Sequence, residues 1–110
     1  MYLGLDLGTS GVKALLMDAD HRVVGSAAAG LDVARPAPGW SEQHPADWIR
    51  ACADALRQLQ GDHDLSAVRG IGLSGQMHGA TLLDGSDAVL RPCILWNDTR
   101  AHGEAAALDG

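Results

Sequence analysis

Asp6, the turn Gly8-Thr9-Ser10-Gly11 and Lys13 bring a carboxylate, a cluster of small and hydroxylated residues and an ammonium group close together in the chain. Asp6 interrupts an apolar run, and a carboxylate buried there without a partner is costly. The usual compensators are a metal ion, a cation or a catalytic duty. Small residues in the turn let anionic oxygens approach backbone N–H groups, as phosphate-cradling nests require, and Thr9 and Ser10 add two hydroxyls. Lys13 supplies positive charge near such phosphates. Mg²⁺ between carboxylate and phosphate, often through water, completes that chemistry. The pattern is not a P-loop, because G-x-x-x-x-G-K-[ST] is absent, and not a dinucleotide fingerprint, because a strand rather than a helix follows. The competing reading is a glycine-rich hairpin with an exposed Asp6 and a solvated Lys13.

Two strands must hold these groups. Tyr2–Leu7 and Val12–Met17 are apolar and separated by the short turn, which predicts an antiparallel hairpin. Alternation puts Gly4 and Asp6 on one face, with Leu3, Leu5 and Leu7 packing behind. After the turn Asp18-Ala19-Asp20-His21, the stretch from Arg22 to Val33 reads as a longer third strand. Arg35-Pro36-Ala37-Pro38-Gly39 is a loop, since proline removes ladder donors. The span from Pro45 to Gln60 is a helix with Trp48, Ile49, Cys52, Ala55, Leu56 and Leu59 as its apolar stripe. Pro45 suits its first turn and Gly61 its stop.

Val68 to Leu73 follows as a fourth strand, leading into Ser74-Gly75-Gln76-Met77-His78-Gly79. Thr81–Leu83 and Val89–Leu90 flank Asp84-Gly85-Ser86-Asp87 as a second hairpin, and Cys93–Trp96 is a last short strand. Asn97 to Leu108 reads as a helix capped by Asn97 or Asp98. Strand, strand, strand, helix, strand is the order of an α/β layer with a mixed sheet.

Bulk properties exclude several classes. The chain has 110 residues, 46% hydrophobic, so a core can form in one small domain or a piece of a larger one. A net charge of −6, with Lys13 the only lysine, argues against a nucleic-acid surface. Cys52 and Cys93 make neither a disulfide framework nor a metal cluster and fit reduced thiols. No signal peptide or membrane-spanning run is read, so the expected location is the cytoplasm. The final helix stops almost as it forms, and the expectation is the front portion of a longer protein.

Leu5-Asp6-Leu7-Gly8-Thr9-Ser10-Gly11-Val12-Lys13 resembles the first phosphate motif of the actin-like ATPase superfamily. Gly75-Gln76-Met77-His78-Gly79-Ala80 narrows this, being similar to the sugar-binding segment of the xylulokinase branch of the FGGY carbohydrate kinase family. Trp40-Ser41-Glu42-Gln43 and Ile94-Leu95-Trp96-Asn97-Asp98-Thr99-Arg100 stand where those enzymes carry matching motifs. The resemblance covers the whole chain but only about the first quarter of a family member.

What it implies is a ribonuclease-H-like (actin-like ATPase) domain of α/β class, here incomplete, with residues 1–110 as the front of the sugar-binding domain and the second domain absent. It implies ATP-dependent phosphorylation of an open-chain ketose, D-xylulose, at its 5-hydroxyl. Asp6 would hold Mg²⁺ and the transferring phosphate, and Gly8, Thr9, Ser10 and Gly11 would face the phosphate tail with Lys13 nearby. Met77 and His78 would contact sugar, Trp96 would form part of the pocket wall, and Gln76, Asn97, Asp98 and Arg100 would orient them. Packing in the core is the alternative for Met77 and Trp96. The implied partners are D-xylulose and ATP, with a homodimer of the full-length enzyme compatible and neither nucleic acid nor membrane expected. The general base lies outside these residues. His44 departs from the family, whose members commonly carry an acidic residue before this proline. Other readings are a kinase for ribulose or another polyol, a chaperone-type or filament ATPase, and a free-standing sugar-binding fragment.

Overall fold

The alternating pattern at the N-terminus folds as β1 (Tyr2–Leu7) and β2 (Gly11–Met17) in the computed structural model, which describes all 110 residues. The chain forms two compact units, Met1–Asp32 with Ala46–Gln76, and Val33–Pro45 with Met77–Gly110.

In the first unit β2 pairs antiparallel with both β1 and β3 (Val23–Gly30), and β1 pairs parallel with β5 (Gly70–Gly75). β4 is the short Glu42–Gln43 strand of the other unit. The sheet order β3-β2-β1-β5 leaves β5 at an edge, where Ile71 and Leu73 are exposed. Leu3, Ala14 and Leu16 form the core with Ala55 and Leu59 of α1 (Pro45–Asp62). Leu16 is fully buried, and burial of such a side chain contributes about 1.5–3 kcal/mol.

Several boundaries differ from the expected ones. β3 is shorter than the stretch from Arg22 to Val33 because its partner β2 begins at Gly11, opposite Gly30. Past that pair only Leu31 N–H continues, donating to Ser10 O at 3.0 Å. α1 runs through Gly61, since His63 N–H still reaches Leu59 O at 2.9 Å. Its buried line is Ala51, Ala55 and Leu59 at i, i+4 spacing, and Ile49 is 71% exposed rather than in the stripe. β5 starts two residues later than expected because a 3₁₀ turn, Leu65–Ala67, occupies the approach, with the Asp64 carboxylate accepting from Ser66 N–H.

In the second unit β4 pairs antiparallel with β6 (Cys93–Ile94), and the isolated bridges Ala34–Glu42 and Ala80–Ile94 extend this small ladder. β6 stops short of Trp96 because Asp98 N–H turns back onto Leu95 O at 3.1 Å. The expected 81–90 hairpin is held by one Leu83–Val89 bridge and by the backbone bonds from Leu90 N–H to Leu82 O and from Asp84 N–H to Ala88 O. Asp84 closes its turn by accepting from Ser86 and Ala88 N–H. The last helix, α2, is His102–Asp109 and starts after Ala101, which makes no side-chain cap. Neither Asn97 nor Asp98 caps it. No helix is long and apolar enough to cross a membrane.

Candidate functional site

Asp6, Lys13 and Ser74 are register neighbours on three adjacent strands, Asp6 opposite Lys13 on β2 and opposite Ser74 on β5. Ser74 Oγ donates to Asp6 Oδ1 at 2.9 Å. Gly4 and Gly72, also paired in register, lie beside them with nothing within 4 Å of an added Cβ. Together with Leu15 these residues line an open depression of about 340 Å³ on the face opposite the α1 core. The two glycines keep its floor clear.

Asp6 is exposed here, which corrects the expectation of a buried carboxylate. The reason is the sheet's asymmetry: α1 covers the leucine face and leaves the glycine face open. No burial penalty therefore demands a compensating ion. The case for chemistry rests instead on a carboxylate and an ammonium group sharing one concave, glycine-floored surface. Ser74 was not singled out from the sequence. Its signal was strand alternation combined with the parallel β1–β5 register, which only tertiary pairing supplies.

The turn is fixed from three sides. Gly8 N–H donates to Gly11 O at 2.9 Å, Ser10 O accepts from Leu31, and Thr9 Oγ1 donates to Gln76 Oε1 at 3.2 Å. Gln76 N–H also reaches Leu7 O at 3.1 Å, so Gln76 braces this turn. Gly11 is required by the sheet itself: a Cβ there would lie 2.8 Å from Ala29 O. The amide of Gly8 is engaged in closing the hairpin, and the half-buried Thr9 hydroxyl is engaged with Gln76, which leaves exposed Ser10 as the accessible hydroxyl.

A separate constellation belongs to the second unit. Met77 is 71% and Trp96 57% exposed, and His78 is exposed as well. Core packing of Met77 and Trp96 within this chain is therefore excluded. His78 adopts φ 65°, the left-handed region that a non-glycine residue rarely takes. The next residues are pinned, with Ala80 and Ile94 exchanging N–H···O bonds of 2.8 and 3.0 Å. Gly79 is kept small because a Cβ would meet Cys93 Sγ at 3.2 Å.

Paired with the segment that leads into Trp96 are Ser41, Glu42 and Gln43, three consecutive buried polar residues. Buried charge persists when paired. Glu42 accepts from Arg100 at 2.8 Å and also from Arg91. Arg100 grips Asp98 through Nε at 3.0 Å and Nη2 at 2.6 Å, with its guanidinium 3.8 Å above the Trp40 ring. Hydrogen bonds from the Arg100 side chain, then from backbone N–H groups of Arg100 and Ser41, hold the Asp98 carboxyl well below its ordinary range against desolvation. The same bond to Asp98 raises Arg100 further. Asn97 Oδ1 is buried without a partner, a cost of about 1–3 kcal/mol until a donor meets it. The sequence shows this network only in part: the motif points to Asp98 and Arg100 as orienting residues, while no local pattern assigns a role to Glu42 or Arg91.

The chain holds no group of three or more His, Cys, Asp or Glu side chains able to bind a metal. A lone carboxylate such as Asp6 suits an ion that draws its remaining ligands from water and substrate phosphates, as Mg²⁺ does.

The model of the FGGY family of carbohydrate kinases, N-terminal domain, matches residues 1–110. A curated xylulose kinase of Escherichia coli (strain K12) is 50% identical over 109 residues, covering 99% of this chain and 22% of that protein. A crystal structure named "xyloylose kinase" from Brucella ovis superposes with TM-score 0.96 at 67% identity, over 98% of this chain and 23% of its own. Xylulose kinase from Rhodospirillum rubrum gives TM-score 0.90 at 34% identity, over 98% and 22%. The chain thus spans about a fifth of the length of the curated relatives it matches. Its mixed α/β sheet is part of the actin-like ATPase fold that these kinases share. A match over every residue, with half-identity to a curated member, shows that the chain belongs to the FGGY family of carbohydrate kinases.

Proposed function

We propose that these residues are the front of the sugar-binding domain of an ATP-dependent kinase converting D-xylulose to D-xylulose 5-phosphate. The observation that carries this is the 50% identity to a relative named xylulose kinase across 99% of the chain. The presentation of Met77, His78 and Trp96 outside the core supports it, since a polyol needs directional polar groups and an apolar wall. His78 supplies the first and Trp96 the second, with Met77 beside His78.

Phosphoryl transfer is mostly positioning and charge neutralisation. In this reading Asp6 holds Mg²⁺, fixed in rotamer by Ser74, while Gly8, Thr9, Ser10 and Gly11 form the turn that faces the phosphate tail. Lys13, opposite Asp6, adds positive charge. Mg²⁺, when bound, neutralises charge on the phosphate oxygens. In this reading the proton acceptor for the sugar hydroxyl lies outside residues 1–110, and the adenosine site lies in the second domain. The full-length protein is proposed to act in the cytoplasm, as a homodimer, in pentose catabolism.

Purified full-length protein, assayed with Mg-ATP against D-xylulose, D-ribulose and glycerol, is expected to give its highest kcat/KM with D-xylulose. Absence of ATP-dependent phosphorylation across that panel, or preference for another member, overturns the assignment. Nucleotide-driven assembly or peptide binding with no sugar effect on ATP turnover would instead indicate a chaperone-type or filament ATPase.

A further inference from the structure

Trp96 and Asn97 form an arch with both feet on one residue. Leu95 N–H donates to Ser41 O at 3.0 Å, and Ser41 N–H donates to Asp98 Oδ2 at 2.7 Å. The arch closes on itself through Asp98 N–H to Leu95 O at 3.1 Å. Ser41 is completely buried and Leu95 is 2% exposed, while Trp96 between the feet is 57% exposed. The backbone is fixed and the indole is presented.

The second foot depends on a side chain. Asp98 Oδ2 can meet Ser41 N–H only while its carboxylate is held in one rotamer. Arg100 does this with a forked contact to both oxygens. Arg100 is itself restrained by Glu42 at 2.8 Å and by stacking over Trp40. Glu42 belongs to β4, whose pairing with β6 sets the register of the first foot. Each link is a directional contact among half-buried or buried groups, and side chains locked in this way hold a site within a narrow geometry.

We propose that Asp98, locked by Arg100 and Glu42, is a positioning residue that sets the Trp96 indole as the rigid wall for the ketose. This rests on the kinase reading above and deepens it: Asp98 touches neither sugar nor nucleotide and acts through Trp96. A planar wall set by main-chain geometry selects an extended carbon chain lying flat against it, whereas a loose indole would accept a wider range of polyols.

The test uses full-length protein and two independent readouts. Amide hydrogen exchange at Leu95 and Asp98 is expected to accelerate in Asp98→Asn, which keeps the shape but loses the forked ionic contact; unchanged exchange overturns the arch. In steady-state assays, Asp98→Asn is expected to raise KM for D-xylulose on the order of tenfold, with KM for ATP unchanged. In a Trp96→Ala background the same substitution should add nothing to KM for D-xylulose. An equal further rise there, or parallel rises for both substrates, overturns action through Trp96. Should Asp98→Asn fail to fold, Arg100→Lys retains a positive charge near Glu42 and loses the planar fork to Asp98 together with the stacking over Trp40. It is expected to shift exchange and KM in the same direction by less, and no shift in either overturns the proposal. If the wild-type protein phosphorylates no ketose, the kinase assignment falls on that result, while the exchange measurement still decides the arch.

Discussion

The two units solve the problem of holding a functional surface in opposite ways. In Met1–Asp32 with Ala46–Gln76, backbone ladders and an apolar core beneath them carry the structure, and the chemistry stands on the uncovered face. In Val33–Pro45 with Met77–Gly110, regular pairing is reduced to two-residue strands and single bridges, and a chain of charged contacts supplies the order. The first arrangement leaves Asp6 adjustable by its neighbours alone. The second makes the backbone around Trp96 depend on ionised groups. A core of hydrocarbon is indifferent to pH, whereas a core of carboxylates and guanidinium groups is not.

Five measurements press on this contrast, in falling order of effect. Asp6→Asn in the full-length protein should lower turnover at least about a hundredfold while leaving the melting temperature unchanged. Loss of folding would mean that the open face is structural after all. Leu16→Ala, by contrast, should cost about 2–5 kcal/mol of stability, because a fully buried side chain leaves a cavity. Denaturant titration at neutral and mildly acidic pH should give the same loss at both; a pH-dependent loss would break the distinction between the units.

Glycine positions separate sheet requirements from site requirements. Gly11→Ala should destabilise by about 1–3 kcal/mol, as the new Cβ runs into Ala29 O, a backbone atom that cannot step aside. Gly4→Ala meets open space and should change stability by no more than about 0.5 kcal/mol, yet it should raise KM for ATP by narrowing the floor of the depression. Equal destabilisation by both would remove the argument that Gly4 serves the surface rather than the fold.

The smallest effect is in acid. The folded-state pKa of Asp98 is depressed, so its stabilisation is complete above the unfolded value near 4 and is lost as pH falls below it. Wild-type stability should therefore decline more steeply below about pH 4 than that of Asp98→Asn, by no more than the slope of one proton. Matching slopes would show that Asp98 is not the acid-sensitive member of the second unit.

The same contrast explains what could be read from the amino acids. The hairpin of β1 and β2, the mixed sheet and the long helix announce themselves through periods of 2 and 3.6, which local windows capture. Boundaries failed where pairing decided them: β3 ends where Gly11 ends β2, and α1 ignores Gly61 because its ladder still closes. Asp98 shows the deeper limit. As a helix cap it looked local, but its carboxylate meets Ser41, 57 positions away, and no spacing rule reaches that far. Met77, His78 and Trp96 were found only through a motif, since exposed residues on irregular backbone carry no periodic signature.

β5 carries a consequence for handling the protein. Its outer side offers a row of main-chain donors and acceptors, flanked by the exposed aliphatics Ile71 and Leu73. Such an edge templates further strands, and soluble proteins cover or charge it. Expressed by themselves, residues 1–110 are therefore prone to associate strand to strand into oligomers and precipitate, and a lysine at Leu73 should keep them in solution.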